Sequence, residues 1–218
     1  MTSRPVRAVF WDFGGVLTSS PFEAFRRYET AHGLPPDFLR STNALNPEHN
    51  AWAQLERNDI DVDAFDRLFA GETAARGHRV PGRDILPLLA GSLRPEMVQV
   101  LRRVRDDYRV ACLTNNIATG FGPGMSVDPE AGRAVGEVMA LFDYVLESSR
   151  AGVRKPERRF YEIACEALDV EPSEVVYLDD LGINLKPARE LGMQTIKVGD
   201  PRAAIAELGR LLAIDFGS

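Results

Sequence analysis

The strand-like segments of this sequence are unevenly spaced, and that spacing restricts its fold more than any other feature. The segment at residues 5–11, PVRAVFW, is short, apolar and rich in β-branched and aromatic residues, as expected for a buried strand. No similar segment follows until residue 109, after which RVACL, FDYVLESS, EVVYL and QTIKV alternate with helical patterns. Strands that alternate with helices are typical of βαβ units, so the sequence predicts an α/β fold with a parallel sheet.

The stretch between the first and second strands shows only the helical spacing of apolar residues, separated by turn signals such as GLPP at residues 33–36. We therefore interpret residues 18–91 as a helical cap inserted after the first strand. Residues 1–17 and 92–218 would form the core domain. Within that core, the glycine- and proline-containing stretch at residues 117–132 is predicted to be a loop.

Charge and composition exclude several classes of partner. The net charge of −6 argues against binding to nucleic acid or to anionic membranes, because both require a basic face. No apolar run approaches the roughly 20 residues that span a bilayer. The N-terminal segment enters the first strand without the apolar stretch of a secretory leader, so we expect a cytoplasmic protein. We expect either a monomer or a homodimer.

Polar residues follow the predicted strands at the end where parallel sheets bind ligands. Aspartate is common in turns, but a series of such residues at successive strand ends indicates a site. Only three of the 26 basic residues are lysines, and one of them falls in a short loop after FDYVLESS. The residues at this edge are Asp12, Thr114, Asn115, Lys155, Asp179 and Asp180.

This set of side chains is suited to phosphoryl transfer. Several converging carboxylates repel one another unless a cation lies among them, and Mg²⁺ prefers oxygen ligands and often binds substrate phosphate. One carboxylate could serve as a nucleophile that accepts the phosphoryl group. The Lys155 ammonium would balance negative charge, and Thr114 and Asn115 could donate hydrogen bonds to phosphate oxygens.

The segments DFGGVLT, LTNN, RKP and LDDLGINLKPARELGM resemble, in order and spacing, the four signature motifs of the haloacid dehalogenase-like hydrolases. The resemblance extends over essentially the whole chain. The last segment is most similar to the branch that contains the N-terminal phosphatase domain of soluble epoxide hydrolase. The resemblance implies a Rossmann-like core with a helical cap. It also implies a Mg²⁺-dependent phosphatase that acts on a small phosphorylated metabolite or a lipid phosphate.

The resemblance also implies roles for individual residues. Asp12 matches the nucleophile that forms an aspartyl-phosphate. Thr114 matches the hydroxyl that binds phosphate, with Asn115 beside it. Lys155 matches the lysine that balances charge and contacts the phosphate.

The metal ligands implied by the resemblance are Asp12, the backbone carbonyl of Gly14, and Asp180. Asp179 would either support Asp180 or cap its loop. Asn184 would either support the site or cap the following helix.

One position departs from the usual pattern of the family. Most of its phosphatases carry a second aspartate, the general acid and base, two residues after the nucleophile, where this chain has Gly14. A positioned general acid typically contributes roughly 10²–10⁴-fold in rate. Two alternatives therefore stay open beside the phosphatase: a dehalogenase of the 2-haloacid type in which Asp12 attacks carbon, and a weakly active module that binds a phosphorylated ligand. His49 is a further candidate for a proton donor from the cap.

Overall fold

The computed structural model describes residues 5–118 and 129–217, and the described chain contains one five-stranded parallel sheet. The strands are β1 (Ala8–Trp11), β2 (Arg109–Thr114), β3 (Tyr144–Glu147), β4 (Val175–Asp179) and β5 (Gln194–Lys197). Their order across the sheet is β3-β2-β1-β4-β5, so the first strand of the chain lies at the centre. The predicted α/β fold with a parallel sheet is confirmed.

Helices cover both faces of this sheet. They are α6 (Pro95–Val104), α7 (Pro129–Met139), α8 (Ser148–Ala151), α9 (Arg158–Leu168), α10 (Gly182–Leu191) and α11 (Pro201–Leu212). A short 3₁₀ turn, Pro172–Glu174, precedes β4. The third strand is shorter than the segment FDYVLESS suggested, because Ser148 already begins α8. Of the loop predicted at residues 117–132, residues 119–128 lie outside the described residues, and α7 begins at Pro129.

The alternating side chains of β1 supply two separate hydrophobic cores. Val9 and Trp11 pack in the cluster that contains the apolar faces of α6, α7 and α11. Ala8 and Phe10 pack on the opposite face with α9 and α10. All four side chains are fully buried, and burying a large apolar side chain contributes about 1.5–3 kcal/mol. This double burial explains why the strand is apolar throughout rather than alternating in polarity.

Residues 18–91, here called the cap, are helical. The cap contains α1 (Phe22–Ala31), α2 (Phe38–Asn43), α3 (Ala51–Glu56), α4 (Val62–Ala74), α5 (Gly82–Ile85) and a 3₁₀ turn, Leu86–Leu89. Its own core is aromatic: the rings of Trp52 and Phe65 lie 4.9 Å apart edge to face, and Phe65 stacks on Phe69 at 5.4 Å. This cluster also includes Ile117, which follows β2, so the cap core packs against the sheet domain at that residue.

Two chain segments join the cap to the core, and they run antiparallel to each other. Thr18 and Leu93 form an isolated bridge, and the backbone N–H of Arg94 donates to the carbonyl of Leu17 at 2.8 Å. The cap therefore leaves and re-enters the core at a single place, next to the end of β1. Within the described residues, we find no helix with the length and apolar character needed to cross a membrane.

Candidate active site

The topology of the sheet brings the predicted residues together. The central strand β1 pairs with β2 on one side and β4 on the other, so Asp12, Thr114 and Asp179 occupy adjacent strand ends. The backbone N–H of Asp12 donates to the carbonyl of Leu178 at 2.8 Å, which extends the pairing one residue past β1. The nucleophile predicted by the sequence is thus fixed beside β4 by main-chain bonding.

Asp12 and Lys155 form a buried ion pair. The Lys155 Nζ lies 2.7 Å from Asp12 Oδ1, and the same oxygen accepts a 2.7 Å hydrogen bond from the backbone N–H of Phe13. Burial raises the pKa of Asp12 well above its usual value, and the Lys155 charge opposes this effect. Burial by itself would lower the pKa of Lys155, but Asp12 and Asp179 raise it, so the ammonium stays protonated.

Asp179 is fully buried and accepts hydrogen bonds at both of its oxygens. Lys155 Nζ donates to Oδ2 at 3.0 Å, and the Tyr177 hydroxyl donates to the same oxygen. The backbone N–H of Leu181 donates to Oδ1 at 2.8 Å, and Asn184 Nδ2 lies 3.1 Å from both oxygens. Asp179 therefore caps the loop before α10, which is one of the two roles considered for it, and it also holds the lysine.

Asn184 is the third residue of α10 and not its N-cap, which is Leu181. Of the two roles considered for Asn184, helix capping is therefore wrong, because the helix begins earlier than the motif suggested. Its side chain donates to Asp179, and its carbonyl accepts a 2.7 Å hydrogen bond from the Tyr161 hydroxyl. Asn184 thus links the first turn of α10 to the buried carboxylate and to α9.

Asp180 lies against the loop that follows β1. Its Oδ2 would be 2.3 Å from a Cβ atom at Gly15, and Gly15 adopts a φ of +77°. Both facts require glycine at position 15, since any side chain there would be strained and would displace the carboxylate. Burial and the nearby charge of Asp179 raise the pKa of Asp180 to about 6.

The three aspartates form a cluster suited to a hard cation. Asp12, Asp179 and Asp180 each offer an oxygen, and these oxygens all lie within 4.8 Å of one another. Because both oxygens of Asp179 already accept hydrogen bonds, Asp12 and Asp180 are the carboxylates better placed to bind an ion. An all-oxygen donor set of this kind fits Mg²⁺.

Gly14 lines the cavity above this cluster, and a Cβ built on it would meet no atom within 4 Å among the described residues. The position is therefore open rather than filled by a neighbouring group. It lacks the acid side chain, but it has room for one.

Asn115 joins the core to the cap. Its Nδ2 donates to the Lys155 carbonyl at 3.0 Å and to Glu56 Oε2 of the cap at 3.1 Å, and its Oδ1 accepts from the Lys155 N–H at 2.8 Å. Arg154 Nε also donates to Glu56 Oε2, at 2.5 Å, and Arg154 Nη1 donates to the Pro47 carbonyl at 3.1 Å. Both N–H groups of the Asn115 amide are thus engaged by protein, so its side chain positions the lysine loop rather than offering an N–H to a ligand.

A cavity of about 440 Å³ lies between the core and the cap. The core contributes most of the charged groups, with apolar residues beside them: Asp12, Phe13, Gly14, Thr114, Asn115, Arg154, Lys155, Pro156, Asp180, Leu181, Ile183 and Asn184. The cap contributes mainly apolar groups: Pro21, Phe22, Phe25, Ala44, Pro47, Trp52 and Leu89, with Arg40, Asn43, Asn50 and Glu56 among them. The cavity therefore has a charged floor on the core and a largely apolar roof.

Several residues of this site were not predicted from the sequence. Tyr177 lies two residues before Asp179 on β4, and the period of two along a strand could have placed both on one side. Glu56 and Arg154 carry no signal that could have linked them, since they lie 98 residues apart and meet only in the fold. His49 is not among the cavity-lining residues, and its side chain is 75% exposed beside Glu48, so the suggestion that it donates a proton is wrong.

Comparisons with known proteins agree with this geometry. The family model for haloacid dehalogenase-like hydrolases matches residues 6–192. The chain belongs to this family. It is an enzyme family, and the resemblance seen in the motifs is confirmed.

Among curated relatives, the chain is 31% identical to mouse acyl-CoA dehydrogenase family member 10, covering 96% of this chain and 19% of the relative. It is 31% identical to mouse bifunctional epoxide hydrolase 2, covering 97% and 40% respectively. The chain thus spans less than half the length of these two proteins. A sesquiterpene phosphatase of Aspergillus oryzae is 27% identical, with 94% of this chain and 96% of that protein covered.

Solved structures share the fold. A predicted hydrolase of this family from Porphyromonas gingivalis has a TM-score of 0.68 at 22% identity, with 97% of this chain and all of that chain covered. A family member from Bacteroides thetaiotaomicron, solved with magnesium and inorganic phosphate, has a TM-score of 0.58 at 20% identity, covering 89% and 96%. A dehalogenase has a TM-score of 0.65 at 20% identity, covering 96% and 98%.

Proposed function

We propose that this protein is a Mg²⁺-dependent phosphatase that hydrolyses a small phosphomonoester through an aspartyl-phosphate on Asp12. The observation that supports this most strongly is the position of Asp12. Its carboxylate is buried at the base of the cavity, 2.7 Å from the Lys155 ammonium and within the cluster formed with Asp179 and Asp180.

In the first step, an oxygen of Asp12 attacks phosphorus, the new bond to the carboxylate forms, and the bond to the ester oxygen breaks. Lys155 orients Asp12 and opposes the rise in its pKa that burial causes, because their contact is short and shielded from water. Thr114 ends β2 beside Asp12, is buried and lines the cavity, so its hydroxyl is placed to donate to a phosphate oxygen.

In the second step, water attacks the phosphoryl group on Asp12, releases inorganic phosphate and regenerates the carboxylate. The leaving alkoxide of the first step must take its proton from water or from the substrate, because Gly14 has no acid group to supply it. The enzyme would therefore favour esters whose leaving groups need little protonation.

In this proposal, Mg²⁺ would be held by Asp12, Asp180 and the backbone carbonyl of Gly14, and the acidic cluster supports the two carboxylates. When bound, the ion would offset the negative charge that develops on the phosphoryl oxygens. Asp179 would not need to bind it directly, since its hydrogen bonds to Lys155, Leu181 and Asn184 fix the loop that carries Asp180.

The cavity favours a phosphomonoester with an apolar body. Its roof is formed mainly by aromatic and aliphatic side chains, including Phe22, Phe25, Trp52 and Leu89. A volume of about 440 Å³ is within the usual range for small-molecule sites. The Aspergillus relative, which is named as a sesquiterpene phosphatase, agrees with this preference.

Attack on phosphorus accounts for the acidic cluster better than attack on carbon. Dehalogenation by Asp12 would require no metal ion, so Asp180 would stand beside Asp12 and Asp179 without a cation of its own, since Lys155 pairs with the other two carboxylates. The likeness to a dehalogenase structure concerns the fold alone.

The experiment that tests the proposal is hydrolysis of p-nitrophenyl phosphate with and without Mg²⁺, with Asp12→Asn as the control. This leaving group hardly needs a proton, so Gly14 cannot mask activity. We expect turnover that depends on Mg²⁺ and is lost in the variant. Equal rates for both proteins would contradict the proposal, and release of halide from 2-chloropropionate would favour the dehalogenase.

A further inference from the structure

The roof of the cavity carries one positive charge that no carboxylate balances. On the cavity floor, Lys155 pairs with Asp12 at 2.7 Å, and Arg154 pairs with Glu56 at 2.5 Å. Arg40 also lines the cavity, but among residues 5–118 and 129–217 it forms no ion pair. Arg40 is exposed, so its charge is available to an anionic ligand that enters the cavity.

The guanidinium of Arg40 contacts an aromatic ring of the cap. It lies over the ring of Phe22, 4.8 Å from the ring centre, and Phe22 itself lines the cavity. Arg40, Asn43 and Ala44 are spaced i, i+3 and i+4, so they share the face of α2 that forms the roof. A guanidinium that contacts an aromatic ring still has N–H groups to donate to an oxyanion.

The cap side of the cavity is lined mainly by apolar residues. Pro21, Phe22, Phe25 and Leu89 line the cavity from the cap, whereas Asp12 and Lys155 lie on the core. A substrate that satisfies both ends would carry a phosphoryl group at one end, an apolar middle and an oxyanion at the other.

We propose that Arg40 is a specificity-determining residue that binds a second oxyanion of the substrate, a carboxylate or a phosphate, remote from the reacting phosphoryl group. This proposal rests on the proposed phosphatase activity. It assigns the physiological substrate to the class of phosphomonoesters with an apolar body and two anionic ends.

The test compares three series of matched chain length: n-alkyl phosphates, ω-carboxyalkyl phosphates and α,ω-alkane bisphosphates. We expect the second anion to raise kcat/KM about tenfold or more at one chain length, mainly through a lower KM, because a charge-assisted hydrogen bond is gained. The bisphosphates show whether a phosphate or a carboxylate is preferred. In Arg40→Gln, the ratio between dianionic and simple substrates should fall to about one.

Arg27→Gln is the matched control, because Arg27 is an exposed arginine of the neighbouring helix α1 that does not line the cavity. It removes the same charge and should leave the ratio unchanged, which separates binding by Arg40 from general electrostatic attraction. Arg40→Lys keeps the charge and should retain part of the advantage.

The inference is overturned if no chain length gives an advantage, or if the advantage survives Arg40→Gln. If no phosphate ester of any series is hydrolysed, the proposed function fails but Arg40 can still be judged. Calorimetric titration with ω-carboxyalkyl and n-alkyl phosphonates then gives a dissociation constant for each series, and the ratio of the two constants replaces the ratio of kcat/KM values. A ratio of one in the unmodified protein would refute the oxyanion site, and a ratio of about ten that disappears in Arg40→Gln would support it.

Discussion

Replacing Asp180 by asparagine should make the metal-free protein more stable while destroying its affinity for Mg²⁺. The carboxylate of Asp180 is largely buried beside Asp179, and these two conditions raise its pKa from 3.8 to about 6. Between pH 3.8 and about pH 6, the Asp180 carboxyl is therefore protonated in the folded protein but already ionised in the unfolded chain. The free energy of unfolding must fall as the pH rises through this window.

The size of the effect follows from the same shift. The rise of the pKa from 3.8 to about 6 corresponds to about 3 kcal/mol of stability lost at neutral pH. Asparagine has the same shape as aspartate but is never ionised, so Asp180→Asn should raise the free energy of unfolding at neutral pH by this amount. For a chain of this length, the gain corresponds to a rise in Tm of roughly 6–12 °C.

Urea unfolding in EDTA at pH 7.5 and at pH 4 measures the prediction directly. We expect Asp180→Asn to exceed the unmodified protein by about 3 kcal/mol at pH 7.5 and to lose most of that advantage at pH 4. Added Mg²⁺ should stabilise only the unmodified protein. Asp106→Asn, at an exposed position, is the control and should change stability by under about 0.5 kcal/mol. A variant that is less stable in EDTA at pH 7.5 would refute the electrostatic reasoning.

Three further predictions concern the neighbours of this cluster. Gly14→Asp introduces a side chain into open space and should flatten the dependence of kcat/KM on leaving-group pKa, measured with aryl and alkyl phosphates. The rates of esters with poor leaving groups should rise by up to roughly 10²–10⁴-fold. A flat profile in the unmodified protein would contradict this prediction. Glu56→Gln removes the ion pair between Arg154 and the cap, and it should raise KM severalfold. The free energy of unfolding should change by about 1 kcal/mol. An unchanged KM would argue against a role of this ion pair in substrate binding. Tyr177→Phe removes a buried donor to Asp179 and should destabilise the protein by about 1–3 kcal/mol in urea unfolding, whereas a neutral effect would show that the carboxylate finds another donor.

Much of the core could be predicted because its signals are local. A parallel strand buried on both faces is a short apolar run, as in β1, and the first polar residue after it lies where ligands bind. Asp12, Thr114 and Asp179 could therefore be placed at one edge before the order of the strands was known. The extent of β3 was less predictable, because the strand ends at Glu147 and the serines that follow it already belong to α8.

The contacts between distant segments could not be predicted. Glu56 meets Asn115 and Arg154 only because the cap folds back onto the core, and no spacing within the sequence encodes that approach. The role of Asn184 was ambiguous for a similar reason: its position suggested a helix cap, whereas α10 begins two residues earlier and turns the side chain toward Asp179.

In the proposed reaction, Asp12 becomes phosphorylated during turnover. Acid quenching of the protein during turnover of p-nitrophenyl phosphate with Mg²⁺, followed by peptide mass spectrometry, tests it most directly. We predict one added phosphoryl group on the peptide that contains Asp12, absent without Mg²⁺ and absent in Asp12→Asn. Turnover without any phosphorylated peptide, or a phosphoryl group on another residue, would contradict the account.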